Sequence, residues 1–137
     1  RKETVRVELE PLVRALGVRH VLSVAGYDVK TIEKALKEYV KLDAPSVLIV
    51  VEPCALLPDV RKRWVPLHVL PDKCNGCTLC FRIGCPAILK SKELDENSQR
   101  PKALIDASLC TGCEVCAQIC PREAIPFRPV KVEAGEL

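Results

Sequence analysis

Cysteine is the residue whose spacing carries chemistry in this chain. Nine cysteines occur in 137 residues, and all but Cys54 fall into two runs between Cys74 and Cys120. The second run reads Cys110-Thr-Gly-Cys113-Glu-Val-Cys116-Ala-Gln-Ile-Cys120-Pro121, which is C-x2-C-x2-C-x3-C-P without deviation. Three thiolates spaced in this way lie on one tight loop that can wrap three corners of an iron-sulfur cube. The fourth is carried off on the following turn and reaches another cube. The first run, Cys74-Asn-Gly-Cys77-Thr-Leu-Cys80-Phe-Arg-Ile-Gly-Cys85-Pro86, holds one more residue before its last cysteine. That extra residue sits by Gly84, where glycine tolerates an altered backbone path. The spacing therefore predicts two [4Fe-4S] clusters with crossed ligands: Cys74, Cys77, Cys80 and Cys120 for one, Cys110, Cys113, Cys116 and Cys85 for the other. Zinc is the chemical competitor, because paired C-x2-C knuckles bind it tetrahedrally. The third closely spaced cysteine and the Cys-Pro of each run argue against it. Disulfides fit less well still.

Around the cysteines, Gly76 and Gly112 hold matching places where a missing side chain lets backbone amides approach sulfur; both also read as ordinary turn glycines. Leu79, Ile83, Ile88, Val115, Ile119 and Ile125 are expected to exclude water from the clusters. Cys54, outside both runs, reads as a buried apolar thiol and not a ligand. His20 and His68 lack neighbours that would make a ligand set or catalytic pair, and no catalytic residue is assigned. Lys73, Arg82, Lys90 and Lys92 could steer an acidic electron acceptor, although a solvated basic surface is the favoured reading.

The elements that must carry these residues divide the chain in two. A short helix is expected over 10–17, ending at Gly17, followed by a strand over 20–25. Asp28 looks like an N-cap, and Ile32, Leu36, Tyr39 and Val40 recur at helical spacing to about Leu42. The run Val47–Val51 suits a strand buried on both faces. Strand, helix, strand in this order argues for a parallel α/β sheet. Two strands cannot complete such a layer, so the piece is expected to complete a larger domain or dock on other protein. Residues 1–57 are thus an α/β fragment and 58–66 a linker, where Trp64 could anchor. Residues 67–130 form an α+β, two-cluster, ferredoxin-like domain, and 131–137 a tail. The domain contains an internal repeat. Each half has a short strand (68–70; 103–105), an acidic residue, three cysteines and then Cys-Pro, with the polar stretch 91–100 as a surface hairpin or loop between them.

Composition agrees with a folded chain, since 48% of residues are hydrophobic and only 4% aromatic. A net charge of +3 is dispersed, which argues against a nucleic-acid partner. No apolar run reaches membrane-spanning length, and cysteine usage suits a reducing, cytoplasmic setting.

On Leu12 to Val18 (LVRALGV), Tyr27-Asp28, Pro45 to Ile49 (PSVLI), Pro53 to Leu56 (PCAL) and the two cysteine runs, the chain resembles the C-terminal region of the large subunit of indolepyruvate ferredoxin oxidoreductases, which are thiamine-diphosphate-dependent. The lengthened first run is itself a family feature. The resemblance implies a component of an enzyme that oxidatively decarboxylates an aryl pyruvate onto coenzyme A. Electrons would leave through the two clusters to an external ferredoxin. It further implies thiamine diphosphate and Mg outside this chain, and as partners the rest of the thiamine-binding subunit and a smaller gamma-type or beta subunit. The family's cofactor-binding Gly-Asp-Gly is absent here, so the piece alone is not expected to catalyse decarboxylation. Gly26 also stands where the family commonly has proline. The alternative is a free-standing or small-subunit ferredoxin-type electron carrier.

Overall fold

The computed structural model describes residues 5, 7–55, 57–63 and 65–127. The expectations for Trp64, for 128–130 and for the 131–137 tail lie outside them. The chain divides into two compact units, residues 1–54 and 55–137.

In the first unit, α1 (Leu9–Ala15) leads into β1 (His20–Ala25), α2 (Val29–Tyr39) and β2 (Ser46–Val51). Helix α1 has no side-chain N-cap and no buried residue. What ties it down is polar: Arg14 pairs with Glu10 one turn earlier at 2.8 Å, and Ser23 Oγ of β1 donates to Glu10 Oε2 at 3.0 Å. The helix ends where Gly17 turns to φ +90°. Asp28 caps α2, its carboxylate accepting the Thr31 N–H at 3.0 Å. The Thr31 hydroxyl and N–H hold that carboxyl below the usual aspartate range. Strands β1 and β2 are parallel and in register from His20 opposite Ser46 to Ala25 opposite Val51, the strand-helix-strand order read from the sequence.

Two details of that reading are corrected. The inner face of α2 centres on buried Ala35, with Ile32 and Tyr39 half-buried, while Leu36 and Val40 stand exposed. Strand β2 is not buried on both faces, since Val50 retains 51% of its accessible surface. Two strands and two short helices leave part of the sheet without a covering layer.

The second unit begins with α3 (Pro58–Arg63), inside the stretch read as a linker. Val60 is buried there, and an apolar anchor of this kind turns a connector into structure. After a 3₁₀ turn at Leu79–Ile83 come β3 (Ile88–Leu94), β4 (Pro101–Ile105) and the one-turn helix α4 (Val115–Gln118). β3 and β4 form an antiparallel hairpin with an irregularity between Lys90 and Leu94. Its turn is closed by Asp95, whose carboxylate accepts the Ser98 N–H at 2.8 Å. The expected hairpin over 91–100 therefore starts earlier, with Ile88 already paired to Ile105. Residues 68–70 do not form a strand. The Leu70 N–H bonds to the Ala124 carbonyl at 2.7 Å, while the Leu67 N–H just before them goes to a sulfur, so no ladder develops. The core of the unit is Leu67, Ile88, Ala103, Ile105, Cys116, Ala117 and Ile125, with Cys74, Cys80, Cys85 and Cys110 packed against it.

Candidate metal centres

The cysteine loops are built alike. Each opens on a turn, with the Cys74 N–H directed to the carbonyls of Leu70 and Pro71, both at 3.2 Å, and the Cys110 N–H to that of Asp106 at 3.0 Å. The second turn is fixed further by Asp106, whose carboxylate accepts from the hydroxyl of Ser108 at 2.6 Å and from its N–H at 2.9 Å. Those bonds keep Asp106 below the usual aspartate range. Left-handed residues then alternate along each loop: Gly76 (φ +64°) and Thr78 (φ +68°) in the first, Gly112 (φ +71°) and Glu114 (φ +61°) in the second. Backbone that mixes hands in this way turns successive N–H groups toward a common concavity suited to anionic groups. Thr78 leads into the 3₁₀ turn and Glu114 into α4.

The two glycines are also places of close approach. A Cβ on Gly112 would lie 2.6 Å from the Val65 carbonyl oxygen, and one on Gly76 2.8 Å from the Arg100 Cβ. The extra residue of the first run is absorbed as expected from its chemistry, with Gly84 at φ +70° closing the 3₁₀ turn before Cys85.

The sulfurs gather in two fours. Cys74, Cys77, Cys80 and Cys120 line one partly open recess. Burial, and then the neighbouring thiols Cys77, Cys74 and Cys120, push the Cys80 thiol up. Around Cys116 the neighbours are Cys113, Cys110 and Cys85; with burial as the larger cause, they push its thiol up to about 12. Each four thus combines three cysteines of one run with the last of the other. Two backbone N–H groups cross between the halves in matching fashion. Leu67 donates to Cys110 Sγ at 3.4 Å and Ala103 to Cys74 Sγ at 3.4 Å. The loops are further joined by the Leu70 N–H on Ala124 and the Asp106 N–H on Ala87.

This donor set fits iron-sulfur clusters. Four thiols crowded in a half-buried space repel one another as thiolates, and a cationic iron centre offsets that repulsion. The sulfurs of the first four line a recess. Asn75 lines the same recess, and its buried carboxamide oxygen has no hydrogen-bond partner. Turning that amide end for end would present an N–H donor in place of the oxygen.

Of the apolar residues expected to exclude water, Ile88 and Ile125 are buried, whereas Ile83 is 36% exposed. Leu79 and Ile125 line the first recess, joined by Val69, Phe81 and Ala124, which the sequence reading passed over. Cys54 is exposed and not buried, because it follows the uncovered end of β2. Lys73, Arg82, Lys90 and Lys92 are exposed, as is His68; His20 is half-buried.

Residues 67–124 match the 4Fe-4S dicluster domain family. Over nearly its whole length the chain is similar to "Indolepyruvate oxidoreductase subunit IorA". It is 36% identical to that of Thermococcus kodakarensis over 132 residues, 92% of this chain and 19% of the relative. With the subunit of Pyrococcus abyssi it shares 35% identity over 138 residues, 96% of this chain and 20% of the relative. Part of the chain is also similar to "Adenylylsulfate reductase subunit beta" of Megalodesulfovibrio gigas, 38% identical over 73 residues, 47% of this chain and 40% of the relative. No solved structure matches. The chain spans about a fifth of the length of the IorA relatives it matches.

Proposed function

We infer, from a chain homologous to part of the IorA subunits and carrying a 4Fe-4S dicluster domain, that this polypeptide is the electron-transfer portion of an indolepyruvate ferredoxin oxidoreductase. The observation that carries the reading is the gathering of eight thiols into two crossed fours, within a chain whose similarity to IorA extends through both units. In this reading Cys74, Cys77, Cys80 and Cys120 hold one [4Fe-4S] cluster, and Cys85, Cys110, Cys113 and Cys116 the other. Each cluster, when bound, accepts and passes on single electrons.

The chain's own residues do the rest. The left-handed loop positions curve each cysteine loop, the Leu67 and Ala103 N–H groups stabilise anionic Cys110 and Cys74, and the buried isoleucines limit water around them. The α/β unit offers incomplete layers for the remainder of a thiamine-binding subunit, where thiamine diphosphate and Mg would act on an aryl pyruvate. A smaller gamma-type or beta subunit and an external ferredoxin would complete the path. Such chemistry belongs in the cytoplasm. Among the described residues no helix is long and apolar enough to cross a membrane.

The test is to mix the anaerobically purified full chain with the thiamine-binding portion of an indolepyruvate oxidoreductase, then add indolepyruvate and coenzyme A. The reading expects the visible absorbance of the clusters to bleach only when both substrates are present. Clusters that dithionite reduces but this mixture leaves oxidised would overturn it.

A further inference from the structure

Cys74, Cys77, Cys80 and Cys120 share their recess with a polar group that the fold leaves unsatisfied. Asn75 follows Cys74 directly and lines that recess. The oxygen of its carboxamide is buried and has no hydrogen-bond partner among the described residues. The backbone that carries it is fixed from both sides. The Asn75 carbonyl accepts from the Ser98 hydroxyl at 3.0 Å, and Sγ of the preceding Cys74 accepts the Ala103 N–H at 3.4 Å. On the following residue, a Cβ on Gly76 would meet the Arg100 and Pro101 carbonyl oxygens at 3.0 and 3.2 Å. Residues 74–76 are thus held against the β3–β4 hairpin. The matching place in the second loop is Thr111, which is exposed.

A buried polar atom without a partner loses its hydration and gains nothing in return. Apart from Thr78, Arg122 and the thiols, the other side chains that line the recess are apolar, so a water placed there would find few of the partners it needs. Thiolate and inorganic sulfide accept hydrogen bonds and cannot donate them. Against sulfur the oxygen end of a carboxamide is therefore the wrong end, and a half-turn about the Cβ–Cγ bond sets its N–H donors in that place with almost no change of shape. Such a bond strengthens as negative charge grows on the sulfurs, since donors to ionised acceptors bind more strongly than donors to neutral ones.

We propose that the Asn75 carboxamide donates an N–H hydrogen bond to sulfur in the site of Cys74, Cys77, Cys80 and Cys120, and that this bond raises the reduction potential of that one cluster. An added electron increases the charge on sulfur, so the donor stabilises the reduced form more than the oxidised form. Exposed Thr111 offers no buried amide at the matching place. The two sites therefore differ in this contact while sharing the backbone donors Leu67 and Ala103. This inference rests on the double-cluster reading.

The experiment uses the full chain, purified anaerobically. In a potentiometric titration monitored by electron paramagnetic resonance, Asn75→Leu keeps the branched shape without a donor. It should lower one midpoint by about tenfold in the reduction equilibrium, roughly 59 mV for a one-electron couple, and leave the other in place. Thr111→Leu, the same change at the matching place, should move neither. Unchanged midpoints in Asn75→Leu, an equal fall in both, or a fall of the same size in Thr111→Leu would overturn the proposal. A second measurement stands apart from that variant. The only asparagines of the chain are Asn75 and Asn97, so nitrogen-15 in the asparagine side chains of Asn97→Asp protein marks Asn75 alone. Pulsed electron paramagnetic resonance of the dithionite-reduced protein should show coupling to that nitrogen. If Asn75→Leu loses iron, this measurement decides, and absence of the coupling refutes the bond. Iron and sulfide analysis of wild type separates the two levels: a shortfall from about eight of each contradicts the double-cluster reading itself.

Discussion

Replacing Gly112 by alanine adds one methyl group at a place where the backbone φ is +71° and the new Cβ would lie 2.6 Å from the Val65 carbonyl oxygen. The left-handed conformation alone costs an L-residue about 1–2 kcal/mol. The contact is with backbone, which cannot rotate aside, so the loop and residue 65 must separate; overpacking of this kind costs a further ~1–3 kcal/mol. Gly84 supplies the control. Its φ is +70° but a Cβ there meets no atom within 4 Å, so Gly84→Ala should carry only the conformational term. The assay is the anaerobic decay of cluster absorbance at a fixed urea concentration, which reports local opening of the cysteine loops. With each 1.4 kcal/mol worth tenfold, Gly112→Ala should lose its clusters roughly ten- to hundredfold faster than Gly84→Ala. Equal decay of the two variants would refute the reasoning, because it would mean that the approach of Val65 to Gly112 has no energetic consequence.

Three further outcomes follow from the same geometry. If the ligands cross, Cys85→Ala and Cys110→Ala strike the same cluster. The double variant should then retain as much iron as either single, about four per chain, while Cys85→Ala with Cys74→Ala should retain almost none. Cys54→Ser should leave iron, sulfide and the paramagnetic spectrum unchanged, since Cys54 is an exposed thiol of the other unit. Asp28→Ala should weaken α2 by about 1 kcal/mol, read as roughly fivefold faster amide exchange in residues 31–39. Because Thr31 depresses the Asp28 carboxyl, that contribution is present above the ordinary aspartate pKa and is lost as pH falls through the folded value. The difference between variant and wild type should therefore shrink in acid, and a difference that grew would contradict the cap.

How much of this was legible in the sequence depended on the range of the forces involved. The cysteine runs and the Asp28 cap are local patterns, in which residue type and spacing determine the geometry. The parallel pairing of β1 with β2 also followed, from a short helix between two apolar runs. Burial was less legible, because it depends on what covers an element. Val50 and Cys54 have apolar neighbours in sequence yet lie open, their sheet having only two strands. Helix α3 was hidden by Pro58, the basic triplet 61–63 and the following Pro66, which together resemble a connector, whereas the buried Val60 is what counts. The strand expected over 68–70 does not form: the neighbouring Leu67 N–H goes to Cys110 Sγ and the Leu70 N–H to the Ala124 carbonyl, long-range bonds that no local propensity encodes.

The measurement that bears most directly on the account is iron and acid-labile sulfide per chain in the anaerobically purified protein, with electron paramagnetic resonance of the dithionite-reduced state. Two crossed fours of thiols predict about eight of each, with the broadened signal of two interacting clusters. Zinc in place of iron, or only about four irons with a simple isolated signal, would contradict it.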